Sequence, residues 1–199
     1  MTTATLPTPI TAATVDHTGE VDNRAAYIGF GLAYIAGHGA AAISTGADPL
    51  VALPEWLPIT LLGLGLLIGT VCATRAALRA QRTAPESEAL SGKLLGLSWV
   101  VGFAALAVAI TGLTSTLDLP DLQSVLWPAG SSLIVGLIYL GEGAARRNVL
   151  HYSLGAWLAL VAAVALCFAA AGHFWVLAVA GGAGYAIATV LEFRRLAAG

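Results

Sequence analysis

Six stretches of this chain, about 25–46, 57–75, 94–114, 125–143, 149–171 and 174–193, are nearly unbroken runs of apolar residues. A helix rises about 1.5 Å per residue and satisfies its own backbone, so ~20 apolar residues suffice to cross the hydrocarbon core of a bilayer. The runs are rich in Ala, Leu and Gly and lack a period of two, which argues against membrane strands. Only 10% of the residues are charged and 58% are hydrophobic, against about 25% charged in a soluble domain. So few charges cannot cover a water-facing surface. The expectation is an all-α integral membrane protein, a bundle of six transmembrane helices forming one domain over 24–199.

Two polar segments stand outside the runs. Residues 1–23, MTTATLPTPITAATVDHTGEVDN, are rich in Thr, Pro and Ala and read as a disordered tail. They have no basic stretch ahead of an early apolar one, so they do not read as a signal peptide. The second segment is QRTAPESEALSGK, 81–93, which reads as a loop. A net charge of −2 with nine Lys and Arg argues against a nucleic-acid partner.

The basic residues sort by gap. Arg24 precedes the first run; Arg75, Arg79, Arg82 and Lys93 follow the second; Arg146 and Arg147 follow the fourth; Arg194 and Arg195 follow the sixth. The other gaps hold Asp48, Glu55, Asp118, Asp121 and His173 and no Lys or Arg. Lys and Arg favour the cytoplasmic side of short loops, so both termini are expected to be cytoplasmic.

The even-numbered runs share a frame. Trp56, Trp127 and Trp175 are each followed nineteen residues on by Arg75, Arg146 and Arg194, with Gly65, Gly136 and Gly184 nine residues after each Trp. Nineteen residues span about 28 Å of helix. The frame suggests three tandem helical hairpins. Small residues permit close helix packing in lipid. Gly65 with Gly69, Gly92 with Gly96, and the GGAG at 181–184 are the candidates.

Polar residues inside the runs are the candidate site. His38 lies in AYIAGHGAAA near the middle of the first run, on one helical face with Tyr27, Gly31, Tyr34 and Thr45. A polar group at that depth needs a partner. His38 is expected to face inward toward Ser131, Ser132 or Thr111, either as a structural tie between helices or as a substrate contact or proton relay. Tyr139 with Glu142, and Tyr185 with Glu192, share faces of the fourth and sixth runs. Glu142 lies four residues before Arg146, and Glu192 three before Arg195, the spacing of solvated helix-end ion pairs. The candidate set is thus Tyr34, His38, Thr45, Tyr139, Glu142, Tyr185 and Glu192. His151 and His173 read as interfacial residues at opposite ends of the fifth run, too far apart to share a metal, and His151 differs too much in depth from His38 to share a heme. Cys72 and Cys167 fall toward opposite faces, which argues against a disulfide.

No Cys, His or carboxylate pair has metal-ligand spacing, and no phosphate loop, nucleophile elbow or acidic cluster is evident. The expectation is a non-enzyme without metal or cofactor. In size and topology the chain is similar to the substrate-binding membrane subunits of vitamin-uptake transporters and to small six-helix permeases. That resemblance implies a small-solute transporter or the membrane subunit of one, acting as a homo-oligomer or with an ATPase subunit docked near 81–93. The hairpin layout also resembles small acid-stress membrane proteins, which implies a non-transporting scaffold, sensor or assembly partner. The scarcity of intramembrane carboxylates favours the second implication. The setting expected is the plasma membrane of a bacterium, where the lipid bilayer is itself a partner.

Overall fold

The computed structural model describes residues 21–82 and 84–197; positions 1–20, which hold most of the expected tail, lie outside them. Among the described residues every regular element is helical. Helix α1 is Arg24–Ser44, α2 is Trp56–Gln81 and α3 is Glu86–Thr116. Helix α4 is Gln123–Ala145, led in by a 3-10 turn at Pro120–Leu122; α5 is Val149–Ala165, and α6 is Ala170–Ala197. Five of these are long and apolar enough to cross a membrane. The exception is α5, apolar but only 17 residues long. It reaches about 25 Å at the usual helical rise.

Several boundaries differ from the sequence reading, each for a local reason. Helix α2 continues past Arg75 to Gln81 because RAALRAQ consists largely of strong helix formers. Helix α3 starts at Glu86 rather than near 94, with Pro85 at its N-cap and a glutamate opening its first turn. The polar segment at 81–93 is therefore two helix ends and a tight link, not a loop. At the α5–α6 junction the chain turns after Ala165, several residues ahead of the break expected at 172–173. His173, fully buried, closes this turn: its Nδ1 lies 3.1 Å from the Ala165 carbonyl, which also accepts from the Phe168 amide at 3.2 Å. The expectation of an interfacial His173 is thus corrected.

Helix α4 ends in an unusual way. Arg147 has a φ of 53°, the left-handed conformation that glycine prefers at this position. Backbone bonds from Arg147 N to Ala144 O and from Asn148 N to Gly143 O close the helix end. Asn148 then caps α5 by accepting from the His151 amide at 3.0 Å.

Glycines set the helix separations. A Cβ on Gly136 of α4 would sit 2.6 Å from Ala159 N and 2.8 Å from Gly155 O on α5, and one on Gly155 would sit 2.6 Å from Leu140 N. Helices α1 and α2 approach as closely, with Gly29 against Gly69 and Gly65 against Ala33. Gly184 of α6 lies under the Trp157 ring of α5. All three glycines of the shared frame therefore stand at helix contacts. The hairpin frame itself does not govern the packing, since the tightest interface joins α4 to α5, across two hairpins.

Helix α6 lies against both α1 and α5, so α1, α4, α5 and α6 form the centre, while α2 packs on α1 and α3 on α4. Helices α2 and α3 barely touch one another and keep most of their surface exposed. Helices α1 and α6 each contain a π-helical segment, Ala33–His38 and Leu177–Gly181, and these face one another with the Tyr34 ring over Gly181. The Ala180 carbonyl in the second segment accepts from the Trp157 indole at 2.8 Å. Such bulges free backbone groups from the ordinary helix ladder.

Replacing Gly136 by Ala is expected to cost about 1–3 kcal/mol, because backbone and not a movable side chain occupies the space. Gly141→Ala meets nothing within 4 Å and should be neutral or mildly stabilising. Thermal unfolding of both variants in one detergent checks the contrast, and equal Tm values would contradict it.

Candidate functional site

Four central helices bring one polar and aromatic cluster together. Tyr27 and Tyr34 come from α1, Ser132, Tyr139 and Glu142 from α4, His151 from α5 and Tyr185 from α6. The Tyr27 hydroxyl and His151 Nδ1 are 2.7 Å apart. His151 Nε2 lies 3.5 Å from Glu142 Oε2, outside hydrogen-bond geometry, and Glu142 Oε1 lies 3.1 Å from Arg146 Nε. The Tyr139 and His151 rings lie 4.0 Å apart, and the Tyr34 ring packs 5.3 Å from the Tyr185 ring. Ser132 donates to the Leu158 carbonyl at 3.4 Å.

Of the residues singled out from sequence, Tyr34, Tyr139, Glu142 and Tyr185 belong to this cluster. His38 is buried and faces inward, but aromatic rings surround it: Tyr34 edge-on at 5.1 Å and Phe174 stacked at 6.2 Å. Among the described residues its ring makes no hydrogen bond: Ser132, one expected partner, donates to the Leu158 carbonyl, and Thr111 is exposed. Thr45 caps the far end of α1, half-buried and apart from the cluster.

Glu192 sits elsewhere and is not the solvated pair expected. Its side chain is fully buried, its Oε1 accepts from the Asn23 amide at 3.1 Å, and Arg195 clasps it with bonds of 2.8 and 2.9 Å. Arg195 also donates to the Val21 carbonyl at 3.3 Å. The final residues of the expected tail, 21–23, are therefore packed against α6. Asp22 beside them accepts from Arg24 at 2.7 and 2.9 Å, and that guanidinium holds its carboxyl below the usual value.

His151 is the main residue that the sequence reading left out of the site: it is only 4% exposed and forms the hinge of the cluster. Tyr27 and Trp99 were likewise not singled out as site residues. The available signal was Tyr27 on the His38 face and the Asn148–His151 spacing of a capped helix start.

A cavity of about 410 Å³ opens beside this cluster, between α1, α2, α3 and α4. Phe30, Ala73, Leu78 and Trp99 form its apolar wall, and Tyr139, Glu142 and His151 its polar end. It continues into a recess of about 760 Å³ walled by Glu142, Arg146, Arg147, Asn148 and Arg195. The recess lies where the N-terminal ends of α1, α3 and α5 meet the C-terminal ends of α4 and α6, at the basic end of the bundle. This is the size and lining of a small-molecule site, mostly apolar with a few convergent polar groups. Among the described residues no group of three His, Cys, Asp or Glu could hold a metal. Both cysteines are free, Cys72 half-buried and Cys167 exposed. Comparisons with protein-family models, curated proteins and solved structures find no match to the chain.

Removing the Glu192 carboxylate leaves the Arg195 guanidinium and the Asn23 amide without it. Glu192→Ala is expected to cost on the order of 3 kcal/mol. Tyr27→Phe, which leaves a buried His151 nitrogen unpaired, should cost about 1–3 kcal/mol. Thermal melts of the purified variants measure both losses; a melt like that of the parent chain for Glu192→Ala would refute the clamp.

Proposed function

We propose that this chain is a multi-pass membrane protein with six spans and both termini cytoplasmic, acting as a small-solute transporter or as the membrane subunit of one. The setting proposed is the plasma membrane, with a second copy or an ATPase subunit as partner. The observation that carries this reading is the cavity. It reaches from the basic end of the bundle into the central helices and stops against Tyr139, Glu142 and His151. The sorting of Lys and Arg onto one end supports the orientation. Helix α5 can serve as the short sixth span because a bilayer adapts to a few ångströms of mismatch at modest cost.

A second reading has one observation in its favour. Glu142 and Glu192 are both paired internally, which leaves no carboxylate free for ion coupling in the centre of the bundle among the described residues. That suits a scaffold, sensor or stress-related assembly partner without transport. Neither reading assigns catalysis.

The two readings separate on a blocked cavity. Gly96 lines it, and a Cβ there meets nothing within 4 Å, so Gly96→Phe should enter the space without unfolding the chain. Mass spectrometry of protein purified from native membrane should find a small molecule with the parent chain and with Gly141→Phe, and none with Gly96→Phe. Identical co-purified material in all three would remove the cavity as a ligand site. For topology, Cys72 and Cys167 are first replaced. Asp121→Cys should then react with an impermeant thiol reagent on intact cells, and Arg82→Cys only after lysis. The reverse pattern would overturn the orientation.

A further inference from the structure

The cavity has two chemically different halves. The inner half is walled by Phe30, Ala73 and Trp99, and the outer recess by Arg146, Arg147 and the first turn of α5. His151 lines both, and so does Glu142. In the recess, charge is nearly balanced. Glu142 compensates Arg146, and Glu192 compensates Arg195. Arg147 is left as a cation with no ion-pair partner among the described residues.

Arg147 also occupies a backbone position that suits it poorly. Its φ of 53° is one that glycine adopts freely and that a residue with a Cβ adopts at a cost. Such strain persists where the surroundings or a function require the side chain. Two further features face the same recess. Val149 and Leu150 place the positive end of the 17-residue helix α5 in its wall. His151, only 4% exposed, turns Nε2 toward the Glu142 carboxylate at 3.5 Å. The uncompensated Arg147 guanidinium and the helix N-terminus together select for an anion. The apolar inner half selects for hydrocarbon. The loose seam between α2 and α3 lets that hydrocarbon reach the cavity sideways.

We propose that the ligand of this cavity is an anionic amphiphile, with a phosphate or carboxylate head on Arg147 and a single apolar chain or ring between Phe30 and Trp99. The proposal rests on the cavity being the ligand site. It deepens that reading by naming the chemistry of the ligand.

The test uses the full chain purified in a neutral sugar detergent. Three probes are compared: a lysophosphatidic acid, the monoacylglycerol with the same chain, and inorganic phosphate. Thermal stability and tryptophan emission are the readouts. The lysophosphatidic acid is expected to raise the Tm and alter the emission at concentrations where the other two do neither. Arg147→Gly is the decisive variant, because glycine suits the backbone and the fold should melt higher than in the parent chain. In that variant the affinity for lysophosphatidic acid should fall roughly tenfold or more. Unchanged affinity in Arg147→Gly overturns the assignment of the head. An equal response to the monoacylglycerol, lost in Gly96→Phe, also overturns it but leaves the cavity reading standing. An equal response to inorganic phosphate overturns the amphiphile, since a soluble anion then suffices. A response to lysophosphatidic acid that persists unchanged in Gly96→Phe overturns both readings together.

Discussion

Two glycines facing one another, Gly136 on α4 and Gly155 on α5, set a close helix approach in the centre of the bundle. Neither leaves room for a Cβ between the backbones. Their proximity brings Ser132 within reach of the Leu158 carbonyl and lays the Tyr139 ring 4.0 Å from the His151 ring. In an apolar surround there is little hydrophobic drive to hold helices together, so packing and interhelical hydrogen bonds carry the association. The cluster of Tyr27, Tyr34, Tyr139, Tyr185 and His151 depends on this spacing. Widened by a methyl group, the α4–α5 contact would separate Tyr139 from His151 and open the polar end of the cavity.

The same cluster explains why the centre has a defined arrangement and is not a loose collection of apolar helices. Buried hydroxyl and imidazole groups are costly when unpaired, so each restricts where its neighbours can sit. Tyr27 with His151 ties α1 to α5, Ser132 with the Leu158 carbonyl ties α4 to α5, and the Tyr34 ring packs on Tyr185 between α1 and α6. Helices α2 and α3 contribute no member to these pairs. Their separation at the seam is the structural counterpart of that absence.

The helical class and the positions of most helices were legible in the sequence because long apolar runs leave few alternatives. So were the tight sites at Gly65, Gly136 and Gly184, marked by a shared offset from tryptophan. The α5–α6 break was legible but misplaced. The apolar runs place it at 172–173, beside Gly172, whereas the chain turns after Ala165, where His173 closes the turn from eight residues on. Glu192 was found but misread. Its three-residue spacing to Arg195 is the same for an exposed pair and for a buried one, and only the packing of residues 21–23 over it decides which. His151 was missed for a related reason. Position at the end of an apolar run says nothing about whether neighbouring helices extend past it and cover it. Half of the candidate site was thus visible as a polar stripe on single helices, and the other half exists only where helices meet.

The clamp of Glu192 and Arg195 on residues 21–23 has a topological consequence. Helices adjacent in the chain are adjacent in the bundle, and α6 lies back against α1, so the order of the six helices is cyclic. The first and last helices are joined by hydrogen bonds nearly as directly as a peptide link would join them. The weakest junction in this circle is the one between α2 and α3, which the chain crosses covalently near 82–85. A circular permutant that fuses the end of α6 to residue 21 and opens the chain in that link would keep every close interface within an unbroken polypeptide. The natural connectivity does the opposite. It spends its covalent bond on the loosest seam and leaves the α1–α6 junction to a buried carboxylate.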